Sequence, residues 1–198
     1  MKVLVLGSQG QLGQCLQDQC TQTSYQVIYH CRADTDIANF AETSDNLSSL
    51  NPDVVVNASA YTAVDKAEMQ QILANQVNHL AVDNLAKVCK KIGCFLIHVS
   101  TDYVFDGTGD RPWQPEDPTD PQNAYGRSKL SGEMGIRASG AVHAILRTSW
   151  VVSAHGANFV KTMLRLSDTR DALTVVADQI GGPTTARDIA AACLQMAE

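Results

Sequence analysis

The sequence predicts an α/β fold built on a doubly wound parallel sheet, and three observations predict it. Short β-branched runs alternate with longer helix-like stretches along all 198 residues. The third run, Val54-Val55-Val56, is apolar on both faces, as parallel strands covered by helices on each side are. A glycine-rich turn follows the first run directly and opens the first helix-like stretch. Right-handed crossovers then reduce the alternation to a doubly wound topology.

Taken in order, Lys2–Leu6 reads as the first strand and Gln11–Cys20 as the first helix. Gln26–His30 is the second strand, and Pro52 and Asp53 introduce the third at Val54–Val56. Glu68–Ile92 carries Ile72, Val77, Leu80, Leu85 and Val88 near helical spacing, which predicts one helix stopped by Gly93. Phe95–Val99 is a fourth strand, Ala124–Arg137 a helix and Val142–Leu146 a fifth strand. Asn158–Leu166 reads as a helix, Leu173–Val176 as a sixth strand and Arg187–Ala197 as the last helix. Asp106–Asn123 holds Pro112, Pro115, Pro118 and Pro121, so it is neither helix nor central strand. A loop of that length in a compact domain is usually functional.

Composition narrows the function classes. Hydrophobic residues make up 44%, charged residues 18%, and the net charge is −6, which excludes a disordered chain. With no basic stripe to neutralise phosphates, nucleic acid is not an expected partner. No apolar run approaches the roughly 20 residues that span a bilayer, so no membrane is expected either. Met1–Gly7 is too short an apolar run for a secretory signal, and the expectation is a soluble, cytoplasmic protein whose oligomeric state the sequence leaves open. The six cysteines (Cys15, Cys20, Cys31, Cys89, Cys94, Cys193) contain no Cys-x-x-Cys pair and read as reduced core thiols. The five histidines are scattered, so no metal site is expected.

Gly7-Ser8-Gln9-Gly10-Gln11-Leu12-Gly13 has the context of a dinucleotide turn, which makes the sheet Rossmann-type. Gly7 permits the tight turn, Gly10 lets a pyrophosphate approach the backbone, and Gly13 lets helix and strand pack closely. The N–H groups of the helix start, at Gln11 and Leu12, then face the phosphates. An NAD site places a carboxylate about 20 residues on, at the end of the second strand. Here that place reads His30-Cys31-Arg32, and Arg32 suits a 2′-phosphate. NADP(H) is therefore the preferred cofactor, with NAD(H) as the alternative if Arg32 is only a surface charge. Asp36 and Ile37 are expected to flank the adenine.

Tyr125-Gly126-Arg127-Ser128-Lys129 follows the proline-rich loop, and a Tyr and Lys four apart share one helix face. Near an ammonium and an oxidised nicotinamide a phenol's pKa falls, and it can deliver a proton to a carbonyl oxygen. Ser100-Thr101 ends the fourth strand at the carboxyl edge, where ligands bind in such sheets. A hydroxyl there can reach the same oxygen. Tyr-x-x-x-Lys alone is common on helices; with the glycine turn and a strand-end Thr 24 residues earlier it becomes specific.

These residues resemble the extended short-chain dehydrogenase/reductase superfamily and, within it, the dTDP-4-dehydrorhamnose reductase family. The segments that carry the likeness are residues 56–68 (VNASAYTAVDKAE), 100–107 (STDYVFDG), 125–129, 147–151 (RTSWV) and 178–184 (DQIGGPT). The resemblance implies NADPH-dependent reduction of the C4 keto group of dTDP-4-dehydro-6-deoxy-L-mannose to dTDP-L-rhamnose. It implies that Tyr125 is the proton donor, that Lys129 modulates its pKa and binds the nicotinamide ribose, and that Thr101 is the third catalytic hydroxyl. Thr101, Asp102 and Trp150 would touch the dTDP-sugar, and Ala60, Tyr61 and Thr62 would line the cofactor. Asn78 matches an Asn that supports a proton-relay water in the superfamily, or is a plain polar helix residue. Asp65, Lys66 and Glu68 read as a structural charge cluster.

Family members continue past Pro183-Thr184 into a longer part that closes over the nucleotide-sugar. The expectation is one NAD(P)-binding domain over 1–198 that includes the catalytic residues, with the C-terminal substrate part truncated and the lid largely absent. Two other readings compete. One is a non-catalytic NADP-binding subunit resembling the regulatory beta subunit of methionine adenosyltransferase; the other is a different extended nucleotide-sugar reductase or epimerase. The intact Thr101, Tyr125 and Lys129 favour the enzyme.

Overall fold

The computed structural model describes residues 1–21 and 24–198. Five parallel strands form the central sheet: β1 (Lys2–Leu6), β2 (Gln26–His30), β3 (Val54–Asn57), β4 (Phe95–Thr101) and β5 (His143–Thr148), in the order β2-β1-β3-β4-β5. Val5 stands beside Val56, Val56 beside Ile97 and Ile97 beside Ala144, so a β-branched or small apolar row crosses the middle of the sheet.

Strand alternation divides the core into two layers. Val3, Val5 and Val56 pack on one face with Leu16 of α1 (Gln11–Cys20) and Ile189 and Cys193 of α8 (Ala186–Ala197). Leu4, Leu6 and Val55 pack on the other with Leu47 of α2 (Phe40–Leu50), Leu85 of α5 (Ala81–Ile92) and Ile136 of α6 (Ala124–Ser139). Both faces are covered, which is why the strands read as continuous apolar runs. The order reverses between β1 and β3, and that switch point opens a crevice at the carboxyl ends of the strands.

Three elements differ from the sequence reading. Helix α2 went unread because its apolar content is small: only Thr43 and Leu47, one turn apart, are buried. Its ends were nonetheless written in the chain. Asn39 accepts from the Glu42 N–H while Glu42 takes the Asn39 amide, and Asn51, at φ 44°, closes the helix ahead of Pro52.

The helix expected over Glu68–Ile92 is interrupted. A short turn α3 (Val64–Ala67) comes first, then α4 (Gln71–Asn75), a π turn at Gln76–Leu80, and α5, which Gly93 ends at φ 75°. Glu68 ends α3 as its C-cap, and its carboxylate accepts the Ala124 N–H at 2.7 Å, capping α6. The π turn places Asn78 inward, 1% exposed.

The third difference is Leu173–Val176, which is not a strand. After a two-residue β6 (Val151–Val152) the chain forms α7 (Phe159–Ser167), every residue of which is at least partly exposed, and returns as β7 (Thr184–Thr185) beside β6. Leu173, Val175 and Val176 lie 37%, 49% and 64% exposed on the way. β-propensity is realised only against a neighbouring strand and a buried face, and this run has neither. Among the described residues, no helix is long and apolar enough to cross a membrane.

Gly132 of α6 lies directly against the backbone carbonyl of Asn78, so a Cβ there would overlap it. Gly132→Ala should destabilise the fold by about 1–3 kcal/mol. Thermal unfolding should register this as a drop of about 2–4 °C for each kcal/mol; an unchanged midpoint would show that the two backbones are not in contact.

Candidate active site

The glycine turn sits at the β1 carboxyl end. Gly7 has φ +81°, and its N–H and that of Ser8 both donate to the His30 carbonyl, at 2.9 and 3.1 Å. A Cβ on Gly7 would come within 2.8 Å of the Ala58 carbonyl carbon, and one on Gly13 would overlap the Gly7 and Ser8 backbone. Gly10 caps α1 with its backbone alone and has only the Gly7 oxygen near its Cβ position, at 3.4 Å. The bare helix start, with its N–H groups at Gln11 and Leu12, therefore opens on the crevice. The cradle fits a pyrophosphate.

Past β2, the Arg32 guanidinium pairs with Asp36 at 3.0 Å while remaining 80% exposed, and the other Asp36 oxygen accepts the Ala38 N–H. Ile37 is buried beside them. Beyond β3, residues Ala60–Thr62 are held by Asn78. Its side-chain oxygen accepts the Tyr61 N–H at 2.9 Å, and its amide donates to the Tyr61 carbonyl and to Ser128 Oγ, both at 3.0 Å. Asn78 thus ties the third strand's exit to α6.

The helix α6 is aimed by its first turn. Asn123 accepts the Gly126 N–H at 2.7 Å, and Gly126 lies against the Tyr103 carbonyl with no room for a Cβ. This brings Tyr125 to the 3₁₀ turn Asp102–Val104 at the end of β4. Its phenol lies beside the Thr101 hydroxyl, and its ring meets Tyr103 edge-on at 5.8 Å. Thr101 Oγ1 also donates to Asp102 Oδ1 at 3.1 Å and accepts the Tyr103 N–H. Burial pushes the Tyr125 phenol up to about 12, against the opposing hydrogen bond from Thr101. The lowering expected from a nearby ammonium is not what governs it in this arrangement. Burial also raises the Asp102 carboxyl.

One turn along, the Lys129 side chain is fully buried and donates to the Val99 carbonyl at 2.7 Å, with His98 Nε2 at 3.2 Å. Burial brings the amine down to about 8, against the opposing charge of Glu133. Burial and the Lys129 charge hold His98 well below its ordinary value.

A further turn along, Glu133 is 0% exposed. Arg147 grips it with two parallel bonds, at 3.0 and 2.7 Å, and Arg137 adds a third at 3.0 Å. Burial raises this carboxyl, but the Arg147 and Arg137 bonds outweigh it and leave it below its ordinary value. The Arg147 guanidinium lies 4.9 Å over Phe105, which stacks on Trp113 at 4.7 Å. Asp102, Phe105, Trp113, Arg147 and Thr148 border a cleft of about 460 Å³ beside Thr101. Trp150 stands outside that cleft, 44% exposed, with φ 45° and its indole nitrogen against Gly181.

Thr101, Tyr125 and Lys129 thus come together as the sequence reading expected, while Trp150 lies apart from the cleft. Glu133, Arg147, His98 and Asn57 were missed. Residues 125, 129 and 133 mark one helix face at i, i+4 and i+8, a spacing that pointed to Glu133. The scattered histidines also conceal a grouping. His155 meets Asp18 of α1 at 2.6 Å, with Cys15, one turn earlier in the same helix, alongside and hydrogen-bonded to Ser153.

Comparison with known proteins adds relatives. A family model described as RmlD substrate binding domain matches residues 1–198. A dTDP-4-dehydrorhamnose reductase of Sinorhizobium fredii is 44% identical over 197 residues, 100% of this chain and 66% of its own. The solved dTDP-4-dehydrorhamnose reductase from Clostridium acetobutylicum superposes with TM-score 0.95 at 41% identity, covering 99% of this chain and 70% of that one. A Bacillus anthracis structure of the same description, in complex with NADP, gives TM-score 0.94 at 35% identity, with 99% and 70% covered. The chain spans just under two thirds of the length of the first curated relatives, 66% and 64%.

Glu133→Ala leaves Arg147 without its partner and should destabilise the fold by about 3–5 kcal/mol in chemical unfolding. The folded Glu133 carboxyl lies below its unfolded value of about 4.3, so its stabilisation is complete above that pH and is lost as pH falls through the folded value. Glu133→Gln should therefore flatten the acid limb of the stability curve, and the wild-type and variant curves should converge in acid. Parallel curves would reject the assignment.

Proposed function

The chain belongs to the RmlD substrate binding domain family, and from that premise we propose that it works in the cytoplasm as the reductase of a deoxynucleotide-linked 4-keto sugar, dTDP-4-dehydro-6-deoxy-L-mannose, to dTDP-L-rhamnose. The observation that carries the reading is the placement of Tyr125 beside Thr101 at the β4 carboxyl end, with Lys129 one turn behind it.

Gly7, Gly10, Gly13 and the N–H groups of Gln11 and Leu12 would hold the pyrophosphate, with Ala60, Tyr61 and Thr62 along the cofactor and Asp36 and Ile37 by the adenine. The bound dinucleotide supplies the hydride. Tyr125 supplies the proton to the C4 oxygen, and a phenol pushed up to about 12 is fully loaded at neutral pH, as a general acid must be. Thr101 lies beside the phenol and opposes the effect of burial, which favours the phenolate left after transfer. Lys129, when charged, would hold the nicotinamide ribose and balance that phenolate. Asp102 is assigned to the sugar-nucleotide, which the cleft that it borders would receive, and Trp150 to a part of that ligand extending beyond the cleft.

Arg32 supports NADP(H) over NAD(H), the latter remaining a slower alternative. Its pairing with Asp36 is solvent-exposed, and such pairs contribute about 0–1 kcal/mol, so transfer of the guanidinium to a 2′-phosphate costs little. Arg32→Ala should lower the NADPH-to-NADH ratio of kcat/KM about tenfold, the equivalent of one charge-assisted bond. An unchanged ratio would remove Arg32 from the site.

The deciding assay follows NADPH oxidation with the 4-keto sugar nucleotide. Tyr125→Phe should lower turnover by roughly 10²–10⁴-fold with NADPH still bound. Equal turnover would reject Tyr125 as the acid, and NADPH binding by the wild-type chain with no turnover would reject the reductase reading.

A further inference from the structure

Behind the catalytic helix face lies a fully buried row of polar groups that the reaction scheme does not use. Asn57, at the end of β3, is 0% exposed and has both ends of its amide engaged. Its oxygen accepts the Ser59 N–H at 3.1 Å, which fixes which way the amide points. The amide nitrogen therefore faces His98 Nδ1, at 3.1 Å, and must donate to it. A ring that accepts at Nδ1, in a site too buried to charge, carries its hydrogen on Nε2. That Nε2 faces Lys129 Nζ at 3.2 Å, while Lys129 donates to the Val99 carbonyl at 2.7 Å.

We propose that His98 is a positioning residue that sets the proton content of Lys129: locked by Asn57 as the Nε2–H tautomer, it presents a donor to the lysine and so favours the neutral amine. A neutral amine has one lone pair for the imidazole N–H and a hydrogen for Val99, which satisfies every close partner. An ammonium would face the imidazole hydrogen with a hydrogen of its own. The other charged groups that could act on Lys129 from elements packed against α6 are engaged elsewhere or exposed. Glu133, whose charge reaches Lys129, is held by Arg137 and Arg147; Asp83 of α5 pairs with Lys87. His79 of the π turn meets Asn75, Glu68 caps α6, and Asp102 of the 3₁₀ turn accepts from Thr101. Asp65 of α3 acts on Tyr103, and its neighbour Lys66 is exposed.

Burial by itself lowers Lys129 to about 8, and the imidazole donor acts in the same direction. The site then holds its cation below that pH and releases it above. The inference deepens the role given to Lys129 above and rests on that reading only for the use made of the proton. Its measurements read nitrogen chemistry and need no turnover.

In protein labelled with ¹⁵N-histidine, the ring nitrogens of His98 should report a protonated Nε2 and a bare Nδ1 at neutral pH. A protonated Nδ1 would overturn the proposal. In protein carrying ¹³Cε-lysine, Lys129 should titrate below the other lysines. In His98→Gln the side-chain carbonyl can turn to the ammonium, and the Lys129 midpoint should rise by about one pH unit, a tenfold gain in proton affinity. An unmoved midpoint would sink the idea. Should that variant fail to fold, Asn57→Asp keeps the ring and the Ser59 bond but accepts from Nδ1–H. It should reverse the His98 tautomer and raise the Lys129 midpoint, and an unreversed tautomer would count against the lock. Nitrogen states as expected support the inference even in protein that does not turn over the sugar nucleotide, a result that would count only against the reductase reading.

Discussion

Two charge-bearing side chains one helical turn apart, Lys129 and Glu133, are buried on the face of α6 that meets the sheet, and most of the site's arrangement answers to them. Removing a charge from water is tolerated only with full polar partnership. Glu133 obtains it from two guanidiniums, which fixes Arg147 over Phe105 and so shapes one wall of the cleft. Lys129 donates to the Val99 carbonyl and lies against His98, whose N–H meets the amine in its neutral form; these contacts fix the α6 register against β4 and leave Tyr125 opposite Thr101. One helix face thereby serves two purposes, anchoring Tyr125 beside Thr101 and building the cleft next to them.

A second constraint comes from backbone proximity. Gly7, Gly126 and Gly132 each lie where a neighbouring backbone leaves no room for a side chain. Gly7 brings the β1 turn against Ala58; Gly126 and Gly132 bring α6 against Tyr103 and Asn78. The same approach lets Asn78 reach both Tyr61 and Ser128, joining the Ala60–Thr62 side of the crevice to α6.

The alternation of strands and helices, the glycine turn and the Tyr-x-x-x-Lys face were legible because each is a local pattern with a fixed spacing. Helix α2 was not, since its burial rests on Thr43 and Leu47 alone and its evidence lay in caps instead. Leu173–Val176 misled for the opposite reason: its residue types suit a strand, but a strand needs a neighbour that sequence does not supply. The pairing of Glu133 with Arg147 spans 14 residues, and the Asn57–His98 contact spans 41. No local period links such partners, so they emerge only when parallel strands set β3, β4 and β5 side by side.

The positive φ of Trp150 places a bulky residue where backbone is rarely found, and the turn is retained because Thr184 bonds its carbonyl and Gly181 lies against its indole. The chain has two tryptophans, and the other, Trp113, is stacked on Phe105 at the cleft wall. The protein therefore carries two native fluorophores in unlike surroundings, one at the cleft and one at a half-exposed corner. Arrival of a ligand against Phe105 and Trp113 would change the emission of one, and any rearrangement of the returning 181–184 segment would change that of the other. Occupancy of the cleft and rearrangement of that segment become separable optical signals without a label.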